Sequence, residues 1–158
     1  INDKRILIVE NEKRGILDEY NKAGFVRNIG LKYVNNSEWV GFLDDDDTIS
    51  PYYIDYLKDE INQNNIDVCL FRMIGEDDII IPSKYDNGIY KCRCGISFAI
   101  KYDISKKINF KNSKYEDYYY LKELEYRSYK IIISSYVSYF VRREPFDCEI
   151  LDNVLINF

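Results

Sequence analysis

The chain has 158 residues, a length typical of one domain, and 46% of them are apolar, which is enough to bury a core. The net charge is −5 and no basic run occurs, which argues against a nucleic-acid-binding protein. Histidine is absent, which excludes histidine zinc sites, Ser-His-Asp and Cys-His catalysis, and a histidine general base.

The sequence contains no apolar run near the roughly 20 residues that a membrane-spanning helix needs, and no visible signal peptide. The four cysteines show no CxxC spacing, so we interpret them as reduced thiols of a cytoplasmic protein, with a disulfide or thiolate metal site as the alternative. We expect one domain over residues 1–158. Because the chain begins at Ile1 rather than Met, a piece of a longer protein is also compatible with it.

The first half of the chain alternates short apolar runs with amphipathic stretches. Residues 6–9 are Ile-Leu-Ile-Val, which predicts a strand buried on both faces. Residues 24–34 carry apolar side chains at helical spacing and predict a helix. Residues 38–43 predict a second buried strand. Ser50-Pro51 then predicts a helix start, with Ser50 as the N-cap and Pro51 at the first helical position.

The second half continues the alternation. Its strand candidates are residues 66–73, 78–82, 89–94 and 131–141, with 78–82 and 89–94 flanking a turn as a possible hairpin. Residues 96–105 are compatible with a strand or a short helix. Ser113 and Glu116 match the capping-box pattern and predict a helix that ends near residue 128. The alternation of strands and helices indicates an α/β sandwich.

Four consecutive aspartates, residues 44–47, follow the second predicted strand directly. Adjacent carboxylates repel one another, so such a run needs either open solvent or a cation. Ligands of open α/β sheets bind outside the carboxyl ends of strands, which favours a ligand site over a solvated loop. Mg²⁺ and Mn²⁺ prefer carboxylate and phosphate oxygens, and the helix near Pro51 would direct free N–H groups to the same region. The run therefore predicts a divalent-cation and phosphate site.

A second acidic pair, Glu116-Asp117, lies in the first turn of its predicted helix. Glu116 has a structural role available in the capping box, whereas Asp117 need not cap anything. A carboxylate at this position is stabilised by the helix dipole, typically by about 0.3–1 kcal/mol. From the residues alone, helix initiation and a functional role for Asp117 are both open.

Taken in order, these motifs resemble the family 2 glycosyltransferases of the GT-A fold. Residues 21–31 are similar to the family's N-x-x-G-x-x-x-R-N-x-G segment, and residues 39–47 to its hydrophobic strand and DxD-type metal motif. Pro51 would open the next helix, and residues 115–118 contain the family's Glu-Asp pair about seventy residues later. The resemblance covers roughly residues 6–140. It implies a GT-A (Rossmann-like) α/β/α sandwich with a mostly parallel mixed central sheet.

The resemblance also implies roles for individual residues. The implied nucleotide-binding residues are Glu10, Asn11, Arg27, Asp44 and Asp45. The implied metal ligand is Asp46, with Asp47 in support, and the implied general base is Asp117.

The activity that the resemblance implies is an inverting, metal-dependent sugar transfer of the hexosyltransferase type. A sugar moves from a nucleoside-diphosphate sugar to a hydroxyl group of a glycan or other acceptor, as in polysaccharide biosynthesis. Mn²⁺ or Mg²⁺ neutralises the leaving diphosphate, while Asp117 takes the proton of the attacking hydroxyl.

The sequence also departs from the family pattern. The family normally opens with a strand that ends in a nucleotide-contacting turn, and residues 6–9 resemble its second strand instead. We therefore expect a missing first strand or an abbreviated fold. The C-terminal histidine of some metal-dependent relatives is also absent.

Three alternatives remain open at this point. The chain could be an inactive glycosyltransferase-like domain that binds a nucleotide or glycan. A phosphoacceptor receiver domain would explain residues 5–12, although Asn11 stands where a paired acid is expected. A Ca²⁺-binding or structural module would explain the acidic loop, which lacks the spaced EF-hand pattern.

Overall fold

The computed structural model describes residues 6–9, 22–75 and 77–142. The elements within these ranges are, in chain order, α1 (Lys22–Tyr33), β1 (Trp39–Gly41), β2 (Thr48–Ile49), α2 (Tyr53–Gln63), β3 (Val68–Ile74), β4 (Ile80–Ile81), β5 (Phe98–Lys101), α3 (Tyr102–Ser105), α4 (Glu116–Tyr126) and β6 (Ile131–Phe140).

The described strands form one sheet in the order β1-β5-β3-β6-β2, with β4 added to the end of β3. Strand β3 lies at the centre, because the run Val-Cys-Leu-Phe is apolar on both faces of the pleat. Its side chains alternate between two cores. Val68 and Leu70 pack with residues of α1 and α4, whereas Cys69 and Phe71 pack with residues of α2. The sheet is therefore covered on both faces, which confirms the expected α/β/α sandwich.

The loop of residues 42–47 crosses the sheet. It joins β1 to β2, which lie at opposite ends of the strand order. Strand β1 is held by β5, with Trp39 opposite Lys101, and β2 is held by β6, with Ile49 opposite Tyr139. The aspartate run is thus anchored at both ends and passes over the end of the central strands.

The sheet is mixed, but the expected predominance of parallel pairs is wrong for the described strands. Strands β3 and β6 pair in parallel, and the other four pairings are antiparallel. A parallel pair needs a crossover of a dozen or more residues, usually a helix. The described residues between β3 and β5 contain no helix, and only five positions separate β3 from β4. These strands therefore return in the opposite direction.

The prediction of a buried strand at residues 6–9 is also wrong. Within the described part of the chain these residues belong to no strand, and Ile6, Leu7 and Ile8 are 51%, 65% and 73% exposed. A strand is stable only when a neighbour pairs with its backbone groups. No described strand pairs with these residues.

The helix starts differ in detail from the sequence predictions. The Ser50 hydroxyl accepts a hydrogen bond from the Tyr52 N–H, so it closes a turn and α2 begins at Tyr53. The Ser113 hydroxyl likewise accepts from the Tyr115 N–H, and α4 begins at Glu116 without a side-chain cap. The predicted capping box is therefore wrong.

Two further predictions are corrected. Residues 89–94 form turns rather than the second arm of a hairpin, because β4 pairs with β3 instead. Cys69 and Cys94 are buried free thiols, as expected, but Cys92 is disulfide-bonded. Among the described helices, none is long and apolar enough to cross a bilayer.

Candidate functional site

The aspartate run forms a turn that is hydrogen-bonded to a buried tyrosine. The Asp47 N–H donates to the Asp44 carbonyl at 3.2 Å. The hydroxyl of Tyr139, a β6 residue that is 0% exposed, accepts from the Asp44 N–H at 3.1 Å and donates to the Asp47 carboxylate. The Arg142 N–H donates to the same carboxylate at 3.2 Å. Asp47 therefore points inward and fixes the loop.

The inward position of Asp47 changes its acidity. Burial raises the pKa of Asp47, and repulsion from Asp46 and Asp44 acts in the same direction. The hydrogen bonds from Tyr139 and Arg142 oppose the shift but do not cancel it. In the same run Asp45 is exposed and Asp46 is half-buried.

The guanidinium group of Arg27 joins the two acidic motifs. Its Nη2 lies 2.6 Å and 2.8 Å from the two carboxylate oxygens of Asp44, and its Nη1 lies 2.6 Å from Oε1 of Glu116. The side chains of Arg27 and Glu116 are each 10% exposed. Burial lowers the pKa of Arg27, but the two carboxylates outweigh this effect and the net shift is upward. Arg27 is therefore a fixed positive charge.

Helix α1 is positioned for this contact by the residues on either side of Arg27. Gly24 precedes Arg27 by three positions and Asn28 by four, so these three residues form one stripe along the helix. A Cβ at Gly24 would lie 3.1 Å from the Lys111 carbonyl, so only glycine allows this close approach without displacement. Asn28 donates to the Phe110 carbonyl at 2.9 Å and accepts from the Phe110 N–H at 2.8 Å. The face Gly24-Arg27-Asn28 thus docks α1 against the segment that leads into α4.

Asp117 is a carboxyl group with raised pKa. Burial and the neighbouring charge of Glu116 raise the pKa of Asp117 from 3.8 to about 7. The N–H of Tyr118, which donates to Oδ1 at 2.6 Å, and the charge of Arg27 oppose the shift. Asp117 is therefore half-ionised near neutral pH, as a proton-accepting group requires.

A cleft of about 250 Å³ brings Asp117 together with Arg27, Asp44 and Asp47. Gly95 lies in its wall, where a Cβ would stand 2.6 Å from the Met73 sulfur and 3.7 Å from Oδ2 of Asp117. A side chain at position 95 would therefore displace Met73 and narrow the space beside Asp117.

A groove of about 760 Å³ lies next to this cleft. It is lined by apolar residues of α1 and of residues 40–43, and it ends at Asp44, Asp45 and Asp46. Arg27 and Asp44 line both cavities, so their ion pair forms part of the wall between them.

The donor set for a metal ion is small. Among the described residues there is no group of three or more Asp, Glu, Cys or His side chains that could hold a metal ion. Mg²⁺ in phosphate-binding sites uses one or two carboxylates and completes its shell with phosphate oxygens and water. Asp45 and Asp46 are sufficient for that kind of site, whereas an all-protein metal cage does not fit.

The family of the chain follows from its sequence. Residues 3–148 match the glycosyl transferase family 2, which is most of the chain. The chain belongs to glycosyl transferase family 2. The resemblance drawn from the Arg27, aspartate-run and Asp117 motifs is thereby confirmed. Family membership also leaves the receiver-domain and Ca²⁺-module alternatives without support.

Solved structures with a similar fold include TarS of S. aureus. The TarS 1–349 structure has a TM-score of 0.58 and 20% identity, and the match covers 75% of this chain and 40% of that one. TarS 1–349 in complex with UDP-GlcNAc has a TM-score of 0.53 and 18% identity over 75% of this chain and 38% of that one. These likenesses show the GT-A fold. A search of curated proteins gave no match. The chain thus spans about two fifths of the length of TarS 1–349.

Most of the predicted site residues lie together in the family 2 domain. Arg27, Asp44, Asp47 and Asp117 line one cleft, and Asp45 and Asp46 line the adjoining groove. Glu10 and Asn11 lie outside the described residues. Tyr139 and Gly95 are site residues that the sequence patterns do not predict. Tyr139 is one of two tyrosines in β6, and only the sheet register aligns it with the aspartate loop.

We predict that Tyr139→Phe destabilises the fold. The variant leaves the Asp44 N–H and the Asp47 carboxylate without their buried partner, which costs about 1–3 kcal/mol of unfolding free energy. Chemical denaturation measures this difference. Tyr126→Phe is the matched control, because Tyr126 is 85% exposed and its change stays within about 0.5 kcal/mol. Equal stability of the two variants would show that the Tyr139 hydroxyl does not hold the loop.

Proposed function

We propose that this family 2 domain carries the donor-binding and catalytic residues of a metal-dependent, inverting glycosyltransferase. In this proposal a sugar moves from a nucleoside-diphosphate sugar to a hydroxyl group of a glycan acceptor. The observation that carries the proposal is the cleft in which Asp117, with its pKa raised to about 7, shares a wall with Asp44 and Asp47. Similar folds have been solved with UDP and UDP-GlcNAc, which makes UDP-sugars the first donors to test.

Asp117 is proposed as the general base. Its carboxylate takes the proton of the acceptor hydroxyl, the hydroxyl oxygen forms a bond to the anomeric carbon, and the bond from that carbon to the diphosphate oxygen breaks. Attack opposite the leaving group inverts the anomeric centre. Because residue 95 is glycine, it places no side-chain atom beside Oδ2 of Asp117, which lines the cleft. Burial raises the pKa of the nearby Cys94 thiol, so it stays neutral and is a poor nucleophile.

Asp46, with Asp45 beside it, is proposed to hold Mn²⁺ or Mg²⁺. The cation would neutralise charge on the leaving diphosphate. Asp47 supports this site indirectly, because its carboxylate is engaged by Tyr139 and by the Arg142 N–H. The apolar groove beside Asp44, Asp45 and Asp46 is the proposed donor site.

We predict that Mn²⁺ and UDP together raise the melting temperature. A ligand at 100 times its Kd stabilises the folded state by about 2.7 kcal/mol. Asp46→Asn should remove the Mn²⁺-dependent part of the shift, while Asp55→Asn, an exposed carboxylate on α2, should retain it. Differential scanning fluorimetry with UDP, GDP and their sugars measures the effect. No shift with any of these ligands would contradict the proposal.

We predict that Asp117→Asn abolishes transfer while keeping the Mn²⁺–UDP melting shift, because the amide cannot accept the proton. In the unmodified chain kcat should rise with pH through about 7, since only ionised Asp117 acts as a base. Release of UDP or GDP from nucleotide sugars with Mn²⁺ present, at pH 5 to 9, measures both effects. Nucleotide binding without transfer in the unmodified chain would support the inactive-domain alternative instead.

We also predict that Asp117→Asn stabilises the protein above neutral pH. The folded-state pKa of Asp117, about 7, exceeds its ordinary value of 3.8, so the folded state binds the proton more tightly than the unfolded state. Stability from this group is present below about pH 4 and is lost as pH rises through about 7. The melting-temperature gain of the variant should therefore appear at pH 8 and vanish at pH 4. Exposed Asp103→Asn is the control and should show no such gain.

A further inference from the structure

We infer that Arg27 is a positioning residue, which holds the aspartate run and the start of α4 in one arrangement rather than binding the nucleotide. The effect of Arg27 on catalysis rests on the proposed function, whereas its role in linking Asp44 to Glu116 does not. Sequence resemblance places Arg27 beside the nucleotide. The structure shows its guanidinium occupied by protein carboxylates, with Nη2 on Asp44 and Nη1 on Glu116.

Each carboxylate that Arg27 holds is next to a proposed functional residue. Asp44 precedes Asp45 and Asp46 in the donor groove, and Glu116 precedes Asp117 in the cleft. The contacts span 17 and 89 positions of the chain, so they join segments that no local structure connects. The relative placement of the donor site and the base therefore depends on this side chain.

The surroundings of Arg27 preorganise its guanidinium. Gly24 and Asn28 dock α1 closely against residues 110–116, and the guanidinium carbon lies 5.6 Å from the centre of the Phe110 ring. The aliphatic part of the Arg27 side chain is thus held in place without a ligand. The buried charge of Arg27 is costly to remove, because Glu116, whose side chain is 10% exposed, then loses this counter-charge while it stays buried. The geometry is that of a clamp with little freedom to turn toward a phosphate.

The fork of the guanidinium is essential to this arrangement. Arginine presents several N–H donors in one plane and can hold two carboxylates at once, whereas lysine offers a compact point charge. Arg27→Lys would preserve the positive charge near both acids but could not reproduce contacts of 2.6 Å to each of them. The two variants Arg27→Lys and Arg27→Met therefore separate geometry from charge.

The first experiment measures the interaction between Arg27 and Glu116 without an activity assay. Chemical denaturation is applied to Arg27→Met, Glu116→Met and the double variant. Arg27→Met should lower the folding equilibrium constant by roughly 100-fold or more, and the double variant should lose much less than the product of the two single losses. The inference is overturned if the double variant loses the full product of the two single losses in folding equilibrium constant.

A matched ion pair provides the control for this cycle. Nε of Arg127 lies 2.9 Å from Oε1 of Glu123, and these side chains are 43% and 30% exposed. Arg127→Met, Glu123→Met and their double variant should change the folding equilibrium constant by less than about fivefold. If Arg27→Met does not fold, Arg27→Lys replaces it in the same cycle, with the same expected non-additivity.

The second experiment separates positioning from nucleotide binding. In the transfer assay Arg27→Lys should lower kcat by roughly 100-fold, because a misplacement near 1 Å costs that much, while KM for the donor stays nearly unchanged. Isothermal titration with Mn²⁺ and UDP should give the unmodified Kd. A raised KM or Kd with unchanged kcat would overturn the inference and assign Arg27 to the nucleotide.

Failure of this inference can be distinguished from failure of the proposed function. If the unmodified chain shows neither transfer nor Mn²⁺–UDP binding, the proposed function fails. The denaturation cycle alone then tests whether Arg27 links Asp44 to Glu116. Non-additivity then supports Arg27 as a structural clamp between Asp44 and Glu116, and additivity overturns it.

Discussion

Repulsion between carboxylates is the constraint that the rest of this site accommodates. Six of them, Asp44, Asp45, Asp46, Asp47, Glu116 and Asp117, lie around two adjoining cavities. The fold offsets part of this charge with one buried guanidinium, one buried phenol and backbone N–H groups of Tyr118 and Arg142. Burial, followed by repulsion from neighbouring carboxylates that is not offset, raises the pKa values of Asp47 and Asp117. Such residual negative charge favours a cation.

The motif that identifies the family is explained by packing as much as by chemistry. In residues 21–31, Gly24, Arg27 and Asn28 share a helix face, and all three contact the segment 110–116. A pattern read along the sequence as one motif is therefore half of an interface. The other half lies around the Glu116-Asp117 pair. In this chain the two motifs dock against each other.

Local patterns predicted α1, β1, α2, β3, α4 and β6 because each of these elements carries its own apolar periodicity. The Asp117 site followed from a family resemblance rather than from spacing. Such local patterns carry no information about strand pairing or tertiary contacts. Residues 6–9 have strand composition but no described partner, and Glu116 satisfies Arg27 instead of a helix N-terminus. Tyr139 became a site residue only through the register of β6 with β2 and β3.

The loop of residues 42–47 has a mechanical consequence. It acts as a strap, because it ties β1 and β2, the two ends of the strand order, across the sheet. The short β1 and β2 strands cannot fray outward without drawing the aspartates away from Tyr139 and Arg27. Opening of either sheet margin therefore also displaces the acidic turn. The order of the acidic turn and the pairing of the two marginal strands are consequently coupled.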